Sequence, residues 1–289
     1  MSYLHNFTVG ARANRVQTPL TLDMVRQYAP SAFATHAHES RSDRYTYIPT
    51  INVIEGMIKA GFQPFSASQS RSRIEGKAEY TKHMIRFRHM DLTSPMVVGD
   101  IIPEVVLVNS HDGTSAYKLI AGMFRLVCSN GLMVADSTTA SVSVMHKGNI
   151  VADVIDASNG IITSSQKALN AASAWSNLQL TDGEQSAFAE AAHTVRFADA
   201  EGKVTTPITA AQLLRPRRSD DNGADLWKTF NRVQENVIKG GLHGIQRDAN
   251  GRRLRAVSTR QVKGIDQDVK LNRALWTLAE RMAELKQAA

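Results

Sequence analysis

The chain has 289 residues, of which 43% are hydrophobic and 21% are charged, and its formal net charge is +7. This length and composition suit one large or two ordinary globular domains. The single cysteine excludes an intramolecular disulfide and a zinc site built from several cysteines. No apolar run approaches the roughly 20 residues that span a bilayer, and the N-terminus lacks a signal-peptide pattern. We therefore expect a cytoplasmic globular protein without membrane contact.

The positive charge is concentrated towards the C-terminal end. From Arg215 to Arg273 the chain has fourteen Lys or Arg and seven Asp or Glu, so this segment carries the whole excess. A basic segment in an otherwise neutral chain indicates a polyanionic partner, and a solvated basic surface is the alternative interpretation.

The N-terminal part, residues 1–45, is predicted to be an arm with one short helix. That helix runs from Leu20 to Tyr28 and is stopped by Pro30. His36 and His38 have the His-x-His spacing of a metal-binding pair, but no third ligand is suitably spaced. The sequence therefore predicts no metal site.

Residues 46–214 are predicted to form an α+β core. A helix opens at Pro49-Thr50 and stops at Gly61, an extended run follows from Phe62, and a strand covers Lys82 to Met90. In this strand Arg86 and Arg88 alternate with Ile85 and Phe87. If the apolar pair faces inward, both arginines stand on the other face of the sheet. Arginines beside aromatic residues on a sheet can hold single-stranded nucleic acid, and a solvated sheet face is the alternative interpretation.

The stretch from Pro103 to Val134 is predicted to be the centre of the fold. Two apolar runs flank Asn109–Ser115, whose Asp112-Gly113 pair favours a tight hairpin turn. The second run contains Cys128 and ends at the turn signal Ser129-Asn130-Gly131. Runs so apolar are typical of a sheet covered on both faces. His111 and Asp112 in this turn are a candidate contact surface, and the pair is more typical of a turn cap than of catalysis. With a further strand at Thr138–His146, the strands are expected to form an antiparallel meander.

The remainder of the chain is predicted to be mainly helical, and residues 215–289 to be a basic helical region. The expected helices cover Val151 to Leu178 with a break at Asn159-Gly160, Asp182 to Phe197 capped by Thr181, a short segment ending at Leu214, Ala224 to Lys239, and a long final helix from Asp266. The segment Arg215–Gly223 is predicted to be an exposed linker, and Leu242–Lys263 to be a basic loop.

No motif of a common enzyme class is present. The chain lacks a phosphate-binding loop, a dinucleotide fingerprint, a nucleophile elbow and a His-Glu-x-x-His metal motif. This favours a binding protein, with no catalytic residue and no cofactor predicted.

Two segments carry a family resemblance. The hairpin motif from Asn109 to Tyr117, continued by Gly122 to Leu132, and the segment from Val262 to Trp276 resemble the domain of unknown function 932 proteins, often labelled phage/plasmid-like. The resemblance implies a protein of plasmids, phages or integrated elements, with a role in DNA maintenance, recombination or defence against host systems. It implies no catalytic residue, because members mostly have no assigned activity.

The expected order of helix, β-meander and return helix is also similar to the strand-annealing proteins of the Rad family, which is an architectural analogy. Together with the charge, it predicts a homo-oligomer that binds nucleic acid, with single-stranded DNA favoured, or that anneals strands. The expected phosphate contacts are Arg86, Arg88, Arg252, Arg253, Arg255, Arg260 and Lys263, and Tyr80 is the candidate for base stacking.

Two other functions fit the same sequence. A plasmid- or phage-encoded inhibitor of a host defence protein would use the basic surface to bind an acidic partner or to block a nucleic-acid site. A metal-dependent nuclease would need acidic residues that come together only in space.

Overall fold

The computed structural model describes residues 18–39, 47–92, 101–115, 117–125, 130–133, 141–144 and 150–288. These residues belong to two compact units. The first contains the described residues within Met1–Leu132 and Ser137–Gln166, and the second contains those within Met133–Asp136 and Lys167–Ala289. The predicted division at residues 45 and 214 follows composition and charge, and it stays a prediction. Cys128 lies outside the described residues.

The described residues form seven α-helices and eight strands. The helices are α1 (Leu22–Tyr28), α2 (Thr50–Lys59), α3 (Ile150–Ser176), α4 (Asp182–Phe197), α5 (Ala210–Leu213), α6 (Leu226–Lys239) and α7 (Ile265–Ala288). The strands are β1 (Phe62–Gln69), β2 (His83–His89), β3 (Ile101–Asn109), β4 (Tyr117–Arg125), β5 (Asn130–Met133), β6 (Ser141–Val144), β7 (His243–Arg247) and β8 (Arg253–Ser258). This combination confirms the predicted α+β class. No helix in the described part of the chain is long and apolar enough to cross a membrane.

Strands β1 to β6 form one sheet. Its order β1-β2-β3-β4-β5 follows the chain, as expected of a meander, whereas β6 pairs with β4. The pairing is antiparallel from β1 to β4 and between β4 and β6. The β3–β4 hairpin lies in the interior of this order, so the predicted central position of this hairpin is confirmed.

One face of the sheet packs under the helices of the first unit. Ile85 lies opposite Leu107, and Leu107 lies opposite Leu119, so three consecutive strands present large apolar side chains on this face. All three are fully buried, as are Val53, Ile54 and Met57 of α2. Each such side chain stabilises the fold by about 1.5–3 kcal/mol through the apolar area it removes from water.

The opposite face of the sheet holds a buried ion cluster. Arg86 and Arg88 are 6% and 4% exposed, and Glu104 of β3 is 1% exposed. The Nε atom of Arg86 donates to Glu104 Oε2 at 2.5 Å, and the Nε atom of Arg88 donates to Oε1 at 2.9 Å. The interpretation that these two arginines stand on a solvated face is therefore wrong. Alternation correctly predicts that they share a face, but it does not reveal that the face is covered.

Aromatic rings enclose the second guanidinium. The Cζ atom of Arg88 lies 4.1 Å from the ring centroid of Phe65 and 4.0 Å from that of Phe124. Burial lowers the pKa of Arg88, while the charge and hydrogen bond of Glu104 oppose that shift. One carboxylate thus serves two buried cations, and the ring faces supply cation–π attraction to one of them.

A second polar cluster lies where α2 begins, on the helix-covered face of the sheet. The Oγ1 atom of Thr50 is 3.0 Å from His83 Nε2, 3.1 Å from His111 Nε2 and 3.0 Å from Asn109 Nδ2. All four residues are fully buried. They tie the helix to β2 and to the turn between β3 and β4.

Both ring nitrogens of His83 have hydrogen-bond partners. Nδ1 lies 2.9 Å from the Oγ atom of Ser31 and 3.3 Å from the carbonyl oxygen of Thr81, and Nε2 lies 3.0 Å from the Thr50 hydroxyl. A neutral imidazole, with one donor and one acceptor nitrogen, is satisfied by these partners.

In the second unit, aromatic side chains fill the core between helices. Trp175 and Trp276 lie with ring centroids 4.6 Å apart, and Phe230 stands edge-on to Trp276 at 5.8 Å. Helix α6 is buried on its polar side as well as on its predicted apolar stripe. Gln234 bonds Asn272 at 2.8 Å, and Glu235 accepts from Arg218 at 2.7 Å, so these two buried side chains of α6 have polar partners.

Several local predictions are confirmed and several are wrong. Thr181 caps α4, in a capping box with Glu184, and Gly240 with φ +64° ends α6, as predicted. Helix α3 runs unbroken through Asn159-Gly160, because an exposed glycine costs a helix only about 1 kcal/mol. Asn130 begins strand β5, where we expected a turn. The predicted loop Leu242–Lys263 contains the hairpin of β7 and β8.

Replacing Glu104 tests the ion cluster. We expect Glu104→Gln to lower the free energy of unfolding by about 3–5 kcal/mol, because it removes the carboxylate charge that both buried guanidinium groups contact. Urea denaturation followed by circular dichroism measures this loss. The matched control is Glu75→Gln, an exposed loop residue, which we expect to change stability by less than about 0.5 kcal/mol. A Glu104→Gln variant as stable as this control would contradict the assignment.

The pH dependence of stability tests the histidine cluster. Burial, followed by the nearby His111, lowers the pKa of His83 from 6.5 to about 3. Above pH 6.5 both the folded and unfolded states hold this imidazole neutral, and its full contribution is present. As the pH falls below 6.5 only the unfolded state takes up the proton, so we expect stability to fall by about 1.4 kcal/mol per pH unit towards pH 3.

Denaturation at several pH values between about 7.5 and 5 measures this slope. The variant His83→Gln should lower the slope of unfolding free energy against pH by the contribution of about one proton, which is about 1.4 kcal/mol per pH unit. The control His243→Gln, at an exposed histidine, should keep the slope of the parent chain. Equal slopes in all three proteins would refute the assigned burial of a neutral His83.

Candidate nucleic-acid interface

The most basic accessible element is the two-stranded ribbon of β7 and β8, which we call the basic ribbon (His243–Ser258). Its strands pair antiparallel from His243 opposite Ser258 to Arg247 opposite Arg253, with an irregular register near the tip. Exposed arginines stand on both strands and at the tip. They are Arg247, Arg252, Arg253 and Arg255. The only acidic residue of the ribbon is Asp248.

Asp248 shapes the tip of the ribbon. Its Oδ1 atom accepts from the backbone amides of Asn250 at 2.9 Å and Arg252 at 2.8 Å. Gly251 has φ +79°, a conformation that residues with a side chain rarely adopt. The carboxylate is therefore engaged by the turn, and within the described residues it forms no ion pair with the neighbouring arginines. The Asn250-Gly251 pair is a hairpin turn signal that our prediction of a loop did not use.

The base of the ribbon is fixed to the second unit. Gly244 lies so close to Pro207 that an added Cβ would stand 2.6 Å from its carbonyl oxygen. The Nε2 atom of Gln212 donates to the carbonyl of His243 at 2.7 Å. The amide of Gly241 donates to Thr259 at 2.8 Å, beside the end of α6. These contacts hold the base of an otherwise exposed ribbon.

Two guanidinium groups of the ribbon are oriented by local hydrogen bonds. Arg255 Nε donates to Gln246 Oε1 across the strands at 2.8 Å, which leaves its terminal nitrogens directed away from this contact. Arg247 Nη1 donates to the carbonyl of Gly251 at 2.8 Å. Such preorganised guanidinium groups match the geometry of phosphate oxygens and of base edges.

Of the other arginines and lysines predicted to contact phosphates, two are exposed and two are buried. Arg260 and Lys263 are exposed in the segment that follows the ribbon, as the prediction requires of phosphate contacts. The ribbon also exposes apolar side chains, since Leu254 is 59% and Ile245 is 40% exposed. Arg86 and Arg88 differ from all of these, because Glu104 and the aromatic rings hold them inside the first unit, out of reach of a phosphate.

Tyr80 lies half-buried at the end of a 3-10 helix, Ala78–Tyr80. Its ring meets the rings of His36 and His38 edge-on, with centroids 5.4 Å and 5.3 Å away. Its hydroxyl lies 2.5 Å from His36 Nε2. The ring faces its own histidine neighbours, which is a different setting from an open platform for a base. The sequence contains no local signal for this contact, because 44 residues separate the partners.

The turn residues proposed as a contact surface are mostly buried. His111 is fully buried and Asp112 is 5% exposed, whereas Gly113 and Thr114 are exposed. Burial raises the pKa of Asp112, but hydrogen bonds from Thr114, Ser110 and Lys77 outweigh it, and the pKa stands below its ordinary value. Asp112 therefore acts as the internal cap of the turn, and a contact role for the turn stays a prediction.

The described residues contain no group of three His, Cys, Asp or Glu side chains placed to hold a metal ion. This includes His36 and His38, whose sequence spacing suggested a pair of ligands.

Comparison with known proteins places the chain among relatives of undetermined function. The family described as "Domain of unknown function (DUF932)" matches residues 37–276. Two proteins of Escherichia coli (strain K12), UPF0380 protein YafZ and UPF0380 protein YfjQ, are each 45% identical over 268 residues, covering 93% of this chain and 93% of their own. No solved structure matches. The family match includes both the basic ribbon and Tyr80, and the chain belongs to the DUF932 family.

Proposed function

We propose that this protein binds nucleic acid through the basic ribbon. The observation that carries the proposal is an exposed antiparallel ribbon with four arginines and one carboxylate, the carboxylate being engaged in the turn. Arg260 and Lys263 extend the positive charge past its base. Phosphate contacts of this kind supply most of the affinity of non-specific nucleic-acid binding.

The shape of the ribbon favours a duplex. A two-stranded β-ribbon fits the major groove of B-form DNA, where arginine can also bond guanine. Binding of single strands depends on aromatic side chains that stack with bases, and the ribbon has no Phe, Tyr or Trp. The expected preference for single-stranded DNA rested on Arg86, Arg88 and Tyr80, which are buried or engaged with histidines. Strand annealing stays a prediction that the same titrations test.

The proposal retains the expected cytoplasmic location and homo-oligomeric assembly. A ribbon that stands out from its unit leaves the body of the protein available for contacts between copies. Two ribbons in a symmetric dimer would reach two grooves and strengthen binding by raising the effective concentration of the second contact.

An inhibitor of a host defence protein would use the same ribbon, because an acidic protein surface also attracts exposed arginines. A pull-down from nuclease-treated host lysate separates the two functions. A stoichiometric protein partner retained without nucleic acid would favour the inhibitor, and loss of all partners after nuclease treatment would favour nucleic-acid binding.

Neutralising the ribbon should weaken binding and its dependence on salt. We expect each of Arg252→Gln, Arg253→Gln and Arg255→Gln to reduce affinity for a short duplex and to lower the slope of log K against log salt by about 1. The triple variant should lower the slope by about 3. Fluorescence anisotropy with labelled duplex and single-stranded oligonucleotides, between about 50 and 200 mM salt, measures both quantities.

The control is Arg281→Gln, which removes an exposed cation, paired with Glu284, from α7. It should leave affinity and salt slope close to those of the parent chain. Absence of binding by the parent chain at about 50 mM salt would refute the proposal. A triple variant that binds like the parent would also refute the assignment of the interface to the ribbon.

A further inference from the structure

We propose that Tyr80 is a nucleophile that attacks a phosphodiester, with His36 as its general base. The inference rests on the proposed function only for the class of substrate, a nucleic-acid backbone. Its physical basis is a hydroxyl, an imidazole and a second hydroxyl that lie in hydrogen-bonded sequence at the surface of the first unit.

The distances have the pattern of an activated nucleophile. Tyr80 Oη lies 2.5 Å from His36 Nε2, and His36 Nδ1 lies 3.1 Å from the Oγ1 atom of Thr35. A nucleophile within hydrogen-bond reach of a base, with a third group that orients the base, is the arrangement used in covalent catalysis. If Nδ1 of the imidazole donates to Thr35, Nε2 is the acceptor for the phenol proton.

The backbone fixes the two reacting groups relative to each other. The amide of His38 donates to the carbonyl of His111 at 3.0 Å, and the amide of His111 donates to the carbonyl of Tyr80 at 3.0 Å. The histidine segment and the tyrosine are thus tied to the same residue of the β3–β4 turn. This gives the polar turn a function beyond the sheet, since it positions the hydroxyl and its base.

Other tyrosines of the first unit have different partners. The hydroxyl of Tyr117 donates to the carbonyl of Ile48 at 2.9 Å, and the hydroxyl of Tyr47 donates to the carbonyl of Ala34. Carbonyl groups accept a hydrogen bond and do not take up the proton. Tyr80 differs because its partner is a titratable base.

A substrate can reach this site. His36 and Thr35 are exposed and Tyr80 is half-buried, so the hydroxyl and its base lie at the surface. Exposed Arg71 and Arg73 precede the tyrosine in the chain. Lys77, one turn of 3-10 helix earlier, is paired with Asp112, with its Nζ atom 3.4 Å from the carboxylate. The charge that would attract an anionic backbone is therefore that of Arg71 and Arg73, in a segment that also contains Glu75 and Glu79.

The chemical step is a transesterification. The phenol oxygen of Tyr80 forms a bond to phosphorus while its proton passes to His36 Nε2. The bond between phosphorus and one ribose or deoxyribose oxygen breaks, and the leaving oxygen receives the proton from the imidazolium. The product is a tyrosine phosphodiester with a free hydroxyl on the released strand. No oxidant, reductant or additional reactant is consumed, and the reverse step rejoins the strand.

The experiment uses two probes with the full-length chain. The first is the p-nitrophenyl ester of thymidine 5′-phosphate, whose reaction releases nitrophenolate and leaves a nucleotide on the protein. The second is a set of end-labelled single-stranded and duplex oligonucleotides, with covalent complexes separated on a denaturing gel. We expect a burst of nitrophenolate, a mass adduct on the peptide that contains Tyr80, and a gel-stable labelled complex.

Variants separate chemistry from structure. Tyr80→Phe keeps the ring between the two histidines and should abolish the adduct. His36→Gln should slow its formation by about 10²–10⁴-fold, the usual contribution of a general base. The control Tyr28→Phe, at a half-buried tyrosine of α1, should react like the parent chain. Unfolding curves of all variants confirm that they fold.

A parent chain that forms no adduct with either probe overturns the proposal, as does an undiminished adduct in Tyr80→Phe. The small ester keeps this result independent of the basic ribbon. A chain that reacts with the ester but binds no oligonucleotide would support the nucleophile and refute the proposed function, whereas a chain that binds oligonucleotides without any adduct would do the reverse.

Discussion

A single buried carboxylate, Glu104, determines how the central sheet can accommodate its charges. Two guanidinium groups from β2 share its oxygens, and the three residues are at most 6% exposed. An unpaired charge in such a position would destabilise the fold by several kcal/mol, so the three residues are interdependent. The aromatic rings of Phe65 and Phe124 complete the enclosure of Arg88. The sheet therefore holds charged groups on one face and an apolar core with a small histidine cluster on the other.

This arrangement separates the basic residues of the chain into two roles. The arginines of β2 are structural, because their donors are directed at Glu104 and their surface is withdrawn from solvent. The arginines of the basic ribbon remain accessible, and its one carboxylate is engaged in the turn. The interface that we propose, built from the ribbon alone, would supply phosphate contacts without Phe, Tyr or Trp for stacking. Because Arg86, Arg88 and Tyr80 are no longer part of the proposed interface, we propose a duplex as the ligand in place of a single strand. For Tyr80 we propose a chemical role instead of base stacking.

The fold was predictable where the signals are local. The cap at Thr181, the stop at Gly240 and the Asp112-Gly113 turn each depend on a few neighbouring residues, and each lies where the sequence predicts it. The basic ribbon could also have been predicted, since Asn250-Gly251 is a strong hairpin signal between two short strands. We predicted a loop there instead, because the segment is rich in arginine. The candidate site was predictable only as a basic segment. The partners of Arg86, Arg88 and Tyr80 lie 18, 16 and 44 residues away in the chain.

The sequence by itself determined the α+β class, the order of the strands up to β4, most helix ends and the location of the excess positive charge. These properties follow from side-chain periodicity, caps and composition, which act over one or two turns of chain. Only the tertiary structure decided which polar side chains are buried and what they contact. A strand alternates its side chains regardless of what covers each face, so the same pattern places an arginine in water or against a carboxylate. Arg86 and Arg88 contact a carboxylate because β2 packs against β3, which carries Glu104. Tyr80 contacts His36 because the fold brings together two residues that are 44 positions apart.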